Sequence, residues 1–218
     1  MTRSILISLA FLTSACGFTS PGGGTGTLFV TARLTSDGST AGSNARVSVR
    51  AGSETGALVK DAEVAIRGGS LGRTIVAYDD QRDQYRLDGF SWVQGFRLEI
   101  VRGNDKLDGS IEAPGATLIT DPISSSTYRR SDGAPLVIRW KDDRGSPAST
   151  TQVHLDKAKI DRPIPVGIFE LQVRPDELTV SDKEKVQVQR SSEVALSGGA
   201  PGSVLSAGTD HQIEFTVE

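Results

Sequence analysis

Apolar and polar residues alternate along most of the chain, a pattern that predicts short β-strands. In the segment TLFVTARLT, apolar residues occupy every second position from Leu28 to Leu34, and a period of two puts them on one face of a sheet. The same pattern recurs in ARVSVRA, AEVAIRG, RTIVAYD, DQYRLDG, GFRLEIVRG and KLDGSIEAP, which turn-forming residues separate. No window before Pro114 carries the apolar stripe of a helix. The first half is therefore predicted to form a sandwich of strands.

The alternation fades over residues 112–135, which are rich in turn formers, and then returns. The later strand segments are PLVIRWKDD, TTQVHLDK, VGIFELQV, KVQVQRSSEVALSG and the C-terminal HQIEFTVE. Trp140 shares a face with Leu136 and Ile138, which predicts a place in the core of a second unit. The two prolines of DRPIPVG cannot donate to a ladder, so this segment is expected at a sheet edge or at the entrance to a strand. Residues 176–185 are compatible with a turn of helix.

The start of the chain has the parts of an export signal. Arg3 supplies the positive charge, residues 5–12 form an apolar run, and residues 13–15 are small or polar. The apolar run is much shorter than the roughly 20 residues that cross a bilayer. Residues 1–15 are therefore predicted to be a cleaved leader.

Cys16, the only cysteine, follows this leader directly. LTSAC resembles the lipobox of bacterial lipoproteins, although Thr13 stands where that pattern prefers leucine. The resemblance implies cleavage before Cys16, a diacylglycerol on its thiol and usually an acyl chain such as palmitate on the new amine, so that the membrane becomes a partner. Two or three acyl chains anchor a protein stably, whereas one does so only marginally. The alternative is an ordinary signal peptide with an incidental cysteine.

Residues 16–26 are rich in Gly, Ser and Thr and are predicted to form a flexible tether. Gly17 stands where an aspartate retains lipoproteins at the inner membrane of enteric bacteria. If that sorting rule applies, the protein is expected at the outer membrane.

Composition limits which partners, metal sites and domain numbers are expected. The 218 residues carry a formal net charge of -3, and the basic residues are scattered rather than clustered, so nucleic acid is not an expected partner. A single cysteine gives neither an internal disulfide nor a thiolate metal site. The length suits one large domain or two small ones.

Two family resemblances bear on the body of the chain. The segments from GALVKDAEVAIRGG to FRLEIVRG resemble transthyretin-like or carboxypeptidase-regulatory-like sandwiches. PLVIRW and the late alternating strands are similar to fibronectin type III and other immunoglobulin-like modules. We therefore expect an all-β protein with two tandem immunoglobulin-like β-sandwich domains, residues 27–113 and 114–218. Both resemblances imply a scaffold or binding module.

Candidate catalytic and metal-binding residues are few. GGSLG places Ser70 in a G-x-S-x-G motif, with His154 and His211 further along. A nucleophile elbow needs a helix after the serine, whereas another strand is predicted here, so a hairpin turn is the better interpretation. The two histidines are far apart in sequence and are expected to face solvent, so no catalytic, cofactor or metal residue is predicted. The carboxylates of YDDQRDQYRLDG and NDKLDG suit either Ca²⁺ or turns.

GFSWVQGF groups Phe90, Trp92 and Phe96. If exposed, Phe90 and Trp92 would form a binding patch for a sugar or a protein; otherwise they would close the end of a core. The sequence thus predicts a lipid-anchored envelope protein that acts as a non-enzymatic binding or scaffold module. The alternatives are a carbohydrate- or peptide-binding lipoprotein that uses the Phe90 and Trp92 loop, a structural subunit of an envelope assembly, and an enzyme.

Overall fold

The computed structural model describes residues 25–37, 42–68, 71–143 and 148–218. These residues form sixteen strands, named β1 to β16 in chain order, and two 3-10 turns. The elements of the first half are β1 Leu28–Ser36, β2 Asn44–Ala51, β3 Glu63–Arg67, β4 Arg73–Ile75, β5 Ala77–Asp79, β6 Gln84–Asp88, β7 Gly95–Arg102 and β8 Asp105–Glu112. They are followed by β9 Thr117–Asp121, β10 Thr127–Tyr128, the turn Arg130–Asp132, β11 Leu136–Asp142, β12 Thr150–Leu155, β13 Ile160–Ile164, β14 Glu170–Val173, the turn Pro175–Glu177, β15 Ser181–Ala195 and β16 Val204–Val217.

The strands form three sheets. A nine-stranded sheet has the order β13-β12-β15-β16-β1-β2-β6-β5, with β10 paired to the end of β16; the other sheets are β4-β3-β7-β8 and β14-β11-β9. The four-stranded sheet shares one hydrophobic core with β1, β2 and β6, and the three-stranded sheet shares a second core with β12, β13 and β15. The expectation of an all-β protein built from sandwiches is confirmed.

Burial follows the alternation that predicted the strands. In β1, the apolar residues from Leu28 to Leu34 are buried and the residues between them are more exposed. Trp140 is 3% exposed and belongs to the second core, as predicted. The proline-containing segment forms β13 at the edge of the nine-stranded sheet, as predicted.

Three segments differ from the sequence expectation. RTIVAYD is divided at Val76, because this side chain enters the core and the chain passes from the four-stranded to the nine-stranded sheet. Residues 112–135 contribute β9 and β10 instead of turns alone. The possible helical turn at residues 176–185 is limited to Pro175–Glu177, and β15 begins at Ser181.

The long hairpin of β15 and β16 contributes to both cores. In β16, Leu205 and Ala207 pack in the first core, whereas Ile213 and Phe215 pack in the second. The buried face of β16 continues between these two groups through Thr209, which is 2% exposed. Polar residues thus mark the junction between the two cores. The domain boundary between residues 113 and 114 stays a prediction. The structure shows in addition that a single hairpin contributes to both cores.

Candidate functional site

The structure places Phe90 and Trp92 in the first core. Their exposed fractions are 4% and 8%, and both rings contact Phe96, with centroid distances of 5.8 and 5.1 Å. Trp92 Nε1 donates a hydrogen bond of 2.8 Å to the carbonyl oxygen of Pro114. Since a stacking platform needs exposed rings, this placement corrects the hypothesis of a binding patch at Phe90 and Trp92.

The G-x-S-x-G motif lies in a connection between two strands. Ser70 is outside the described residues, as is Cys16 with the predicted leader. On either side of Ser70, β3 ends at Arg67 and β4 begins at Arg73. The local order is therefore strand to strand, which is not the strand-to-helix order of a nucleophile elbow.

The acidic residues of the predicted turns make contacts with the protein itself. Asp79 accepts a hydrogen bond of 3.0 Å from the amide of Gln81 and pairs with Arg82 at 3.1 Å. Asp108 pairs with Arg97 on the neighbouring strand at 2.9 Å. Across the described residues, no three His, Cys, Asp or Glu side chains are grouped so that they would hold a metal ion. The observed contacts are those of turns and cross-strand ion pairs.

His211 lies at the junction of the two cores and is half-buried, which corrects the expectation that it faces solvent. Its Nδ1 accepts a hydrogen bond of 3.3 Å from the amide of Ile119. Burial lowers the pKa of His211, while the nearby Asp210 carboxylate raises it by a smaller amount. The neutral imidazole is therefore the form that this site stabilises.

We expect His211→Gln to reduce the loss of stability on mild acidification. Because the pKa is lowered in the folded state, the unfolded chain takes up a proton first as the pH falls below about 6.5. The free energy of unfolding of the native chain should then decrease until the pH passes the folded-state pKa. Urea unfolding between pH 8 and pH 5 measures this slope, and His154→Gln controls for the loss of an imidazole. Equal slopes for the native chain and His211→Gln would contradict the prediction.

A concave polar surface lies on the solvent side of the nine-stranded sheet. This surface, here called the polar trough, has a volume of about 590 Å³. It crosses β2, β1, β16 and β15 and therefore spans the shared hairpin. Its lining includes Arg33, Asn44, Arg46, Gln189, Ser191 and Gly208.

The strand register sets three arginines side by side at one end of the polar trough. Arg33 of β1 lies opposite Arg46 of β2, and Arg46 lies opposite Arg86 of β6. Asp88 pairs with Arg46 at 2.7 Å and with Arg86 at 2.5 Å. Within the part of the chain that the structure describes, the side chain of Arg33 makes no ion pair or hydrogen bond. The sequence gives no signal of this row, because its members come from three separate strands.

Small residues form the floor of the polar trough. Gly208 lies between Thr35 on β1 and Ser191 on β15. A Cβ at Gly208 would lie 3.0 Å from the carbonyl oxygen of Arg190 and 3.2 Å from the Cβ of Ser191. A side chain there would both crowd β15 and fill the depression, so glycine keeps the floor open.

A second depression continues the polar trough towards the sheet edge. Gln187 and Gln189 line both depressions, and the second one is completed by Gln152, His154 and Asp161. Its volume is about 320 Å³. The structure therefore brings His154 onto this face, whereas His211 lies at the junction of the cores.

Comparisons with known proteins give little beyond the fold. No protein-family model matches the chain, and no curated protein matches it. The solved structures that it resembles include the four N-terminal Ig domains of Dscam1 isoform 1.9, with 14% identity, a TM-score of 0.28, and coverage of 85% of this chain and 42% of that chain. They also include the titin Ig tandem A164-A165, with 11% identity, a TM-score of 0.25, and coverage of 88% and 97%. The chain thus spans less than half of the Dscam1 structure.

Helices long and apolar enough to cross a membrane are absent from the described residues.

Proposed function

We propose that the protein is exported, anchored to the bacterial outer membrane through lipid on Cys16, and acts there as a non-enzymatic binding module. The anchoring part is supported by the LTSAC motif and by the position of the only cysteine at the end of the leader. The tether of residues 16–26 then connects the anchor to β1. One anchored end leaves the sandwiches free to meet a partner in the envelope.

The observation that carries the binding role is the polar trough. It is a preformed concave surface on a rigid sheet, which is the usual setting of a binding site. Side chains such as Arg33 and Gln189 face it without hydrogen-bond partners among the described residues, so their polar groups are available to a ligand.

The two serine hydroxyl groups in the polar trough, those of Ser191 and Ser206, are not arranged for nucleophilic catalysis. Ser191 Oγ lies 2.7 Å from the hydroxyl of Thr150, and Ser206 donates to the carbonyl oxygen of Ala32 at 3.2 Å. A serine nucleophile needs a contact with a general base, and neither of these partners is one. These contacts support binding without chemistry.

Cys16→Ala should release the protein from the membrane. Without the thiol no diacylglycerol can be attached to the chain, and Cys16 is the one lipid anchor that we propose. The measurement is the distribution between membrane and soluble fractions, together with the intact mass of the native protein. Ser20→Ala, a small change within the tether, is the control. An unmodified Cys16 in the membrane-extracted native protein would overturn the anchor.

The outer-membrane destination has its own test. In an enteric host, Gly17→Asp should move the protein to the inner-membrane fraction, as expected from the sorting rule for lipoproteins. Separation of the two membranes by density measures the change. Native protein in the inner-membrane fraction would contradict the proposed destination, whereas a variant that stays with the native chain in the outer-membrane fraction would show that Gly17 does not direct the sorting.

The binding role can be tested in cells that express the full chain. A photo-crosslinking residue at Gln189, in the polar trough, should give a discrete cross-linked product. The same residue at Lys106, which is exposed on the four-stranded sheet, should not. A product of equal yield at both positions, or none at Gln189, would exclude the polar trough as the binding surface.

A further inference from the structure

We propose that the polar trough binds a glycan that carries a carboxylate group, and that Arg33 receives this carboxylate. The inference rests on the proposed binding function, because it names the chemical class of the ligand for the same surface. Three observations support the inference: the row of Arg33, Arg46 and Arg86, here called the arginine row; the polar groups beside this row; and the position of the polar trough within the sheet.

The arginine row favours an anionic group. Like charges directly opposite each other on neighbouring strands are unfavourable, and Asp88 pairs with only two of the three guanidinium groups, those of Arg46 and Arg86. Arg33, at the inner end of the row, is exposed and has no acidic partner in the described residues. A planar guanidinium binds a carboxylate through two parallel hydrogen bonds. An incoming carboxylate at Arg33 would therefore reduce the repulsion along the row.

Two acidic residues restrict how much negative charge the ligand can carry. Glu193 and Asp210 line the same polar trough. Asp210 is held by a hydrogen bond of 2.8 Å from Gln187 Nε2, which fixes its place in the lining. A densely charged chain, such as a polyphosphate, would be repelled by these carboxylates. The charges therefore fit a ligand with one acidic group followed by neutral polar groups.

The remaining lining matches the hydroxyl groups of sugars. A sugar hydroxyl both donates and accepts hydrogen bonds, and the side-chain amides of Asn44 and Gln189 do the same. The open floor at Gly208 allows a ring to approach the sheet closely. Because the lining contains no aromatic side chain, affinity should be modest, with a Kd on the order of 0.1 mM.

The sheet position argues against an extended peptide as the ligand. Peptides commonly add a strand to an unpaired sheet edge, where main-chain hydrogen bonds provide affinity. The strands under the polar trough, β2, β1, β16 and β15, each have a partner on both sides. Their main-chain groups are already used, so recognition there depends on side chains. Counting from β2 to β13, the polar face extends across roughly 24 Å, which suits a short oligosaccharide.

The test is a binding titration of the purified full chain in detergent, followed by isothermal calorimetry. The probe is sialyllactose, an oligosaccharide with a single carboxylate group followed by neutral sugars, and the comparison ligands are maltotetraose, a tetraglutamate peptide and inorganic phosphate. We expect sialyllactose to bind and Arg33→Gln to weaken its binding about tenfold. Lys106→Gln, which removes the same charge from the opposite sheet of the same sandwich, should leave its Kd unchanged. Circular dichroism of both variants establishes that they are folded.

Each outcome of the titration bears on the inference. Binding of maltotetraose with equal Kd would overturn the role of the carboxylate, and equal binding of tetraglutamate would indicate an acidic peptide instead of a glycan. Binding of phosphate alone would reduce the site to a simple anion site. If no probe binds while the cross-link at Gln189 forms, the glycan inference fails and the proposed binding function stands. If the cross-link is also absent, both fail.

Discussion

Asp142→Ala should lower the free energy of unfolding by about 3–5 kcal/mol. Asp142 forms an ion pair with Arg190, and the two side chains are 1% and 3% exposed. The guanidinium also lies over the ring of Phe169, with Cζ 5.2 Å from the centroid. Removal of the carboxylate leaves the Arg190 charge inside the protein at the junction of the two cores. Urea denaturation followed by circular dichroism measures the loss.

A double variant separates the charge effect from simple loss of packing. Asp142→Leu combined with Arg190→Met removes both charges and replaces them with apolar side chains, so it should be more stable than Asp142→Ala. The exposed pair of Arg129 and Glu218, at 3.2 Å, supplies a control. Glu218→Ala should leave stability unchanged, because an exposed ion pair contributes little. If Asp142→Ala is as stable as the native chain, the buried pair has no structural role.

Glu184→Ala should be the second large loss, about 3 kcal/mol or more. The side chain of Glu184 is fully buried. Its Oε1 accepts hydrogen bonds from the amides of Lys157 at 2.8 Å and Lys185 at 3.1 Å, and its Oε2 accepts one from Ala158 at 3.0 Å. Alanine would remove the acceptor of the Lys157 and Ala158 amides, which lie in the turn between β12 and β13.

Amide exchange locates the effect of this change. In Glu184→Ala, the amides of Lys157 and Ala158 should exchange faster with solvent, in addition to the lower stability. Glu184→Gln keeps one acceptor oxygen and should fall between the native chain and the alanine variant. Glu193→Ala on the same strand, where the side chain is exposed, is the matched control. An alanine variant at Glu184 with unchanged amide protection would show that the carboxylate does not hold this turn.

Local pattern was sufficient to predict the strands and several burial states. The alternation in β1 and the face shared by Leu136, Ile138 and Trp140 both correspond to buried residues in the structure. The prolines of DRPIPVG correctly indicated an edge strand, because the missing amide hydrogen limits where a proline can be paired. These features depend on neighbours in sequence, so sequence alone carries them.

Local sequence patterns did not predict the candidate site. The sequence left open whether Phe90 and Trp92 form a surface patch or close a core, and their packing against Phe96 decides for the core. Arg33 and Gln189 gave no signal in the sequence, because exposed polar residues on a strand are ordinary. Their significance depends on which strands become neighbours.

By itself, the sequence determined the all-β class and most strand positions, because each depends on residues close together in the chain; the leader of residues 1–15 before Cys16 stays a prediction. The tertiary structure decided that β1 pairs with β16, with Arg33 opposite Ser206. It also decided that one long hairpin serves both cores and that three arginines meet on one face. Pairing between distant strands follows from how complete sheets bury their apolar faces together, and no local pattern specifies it.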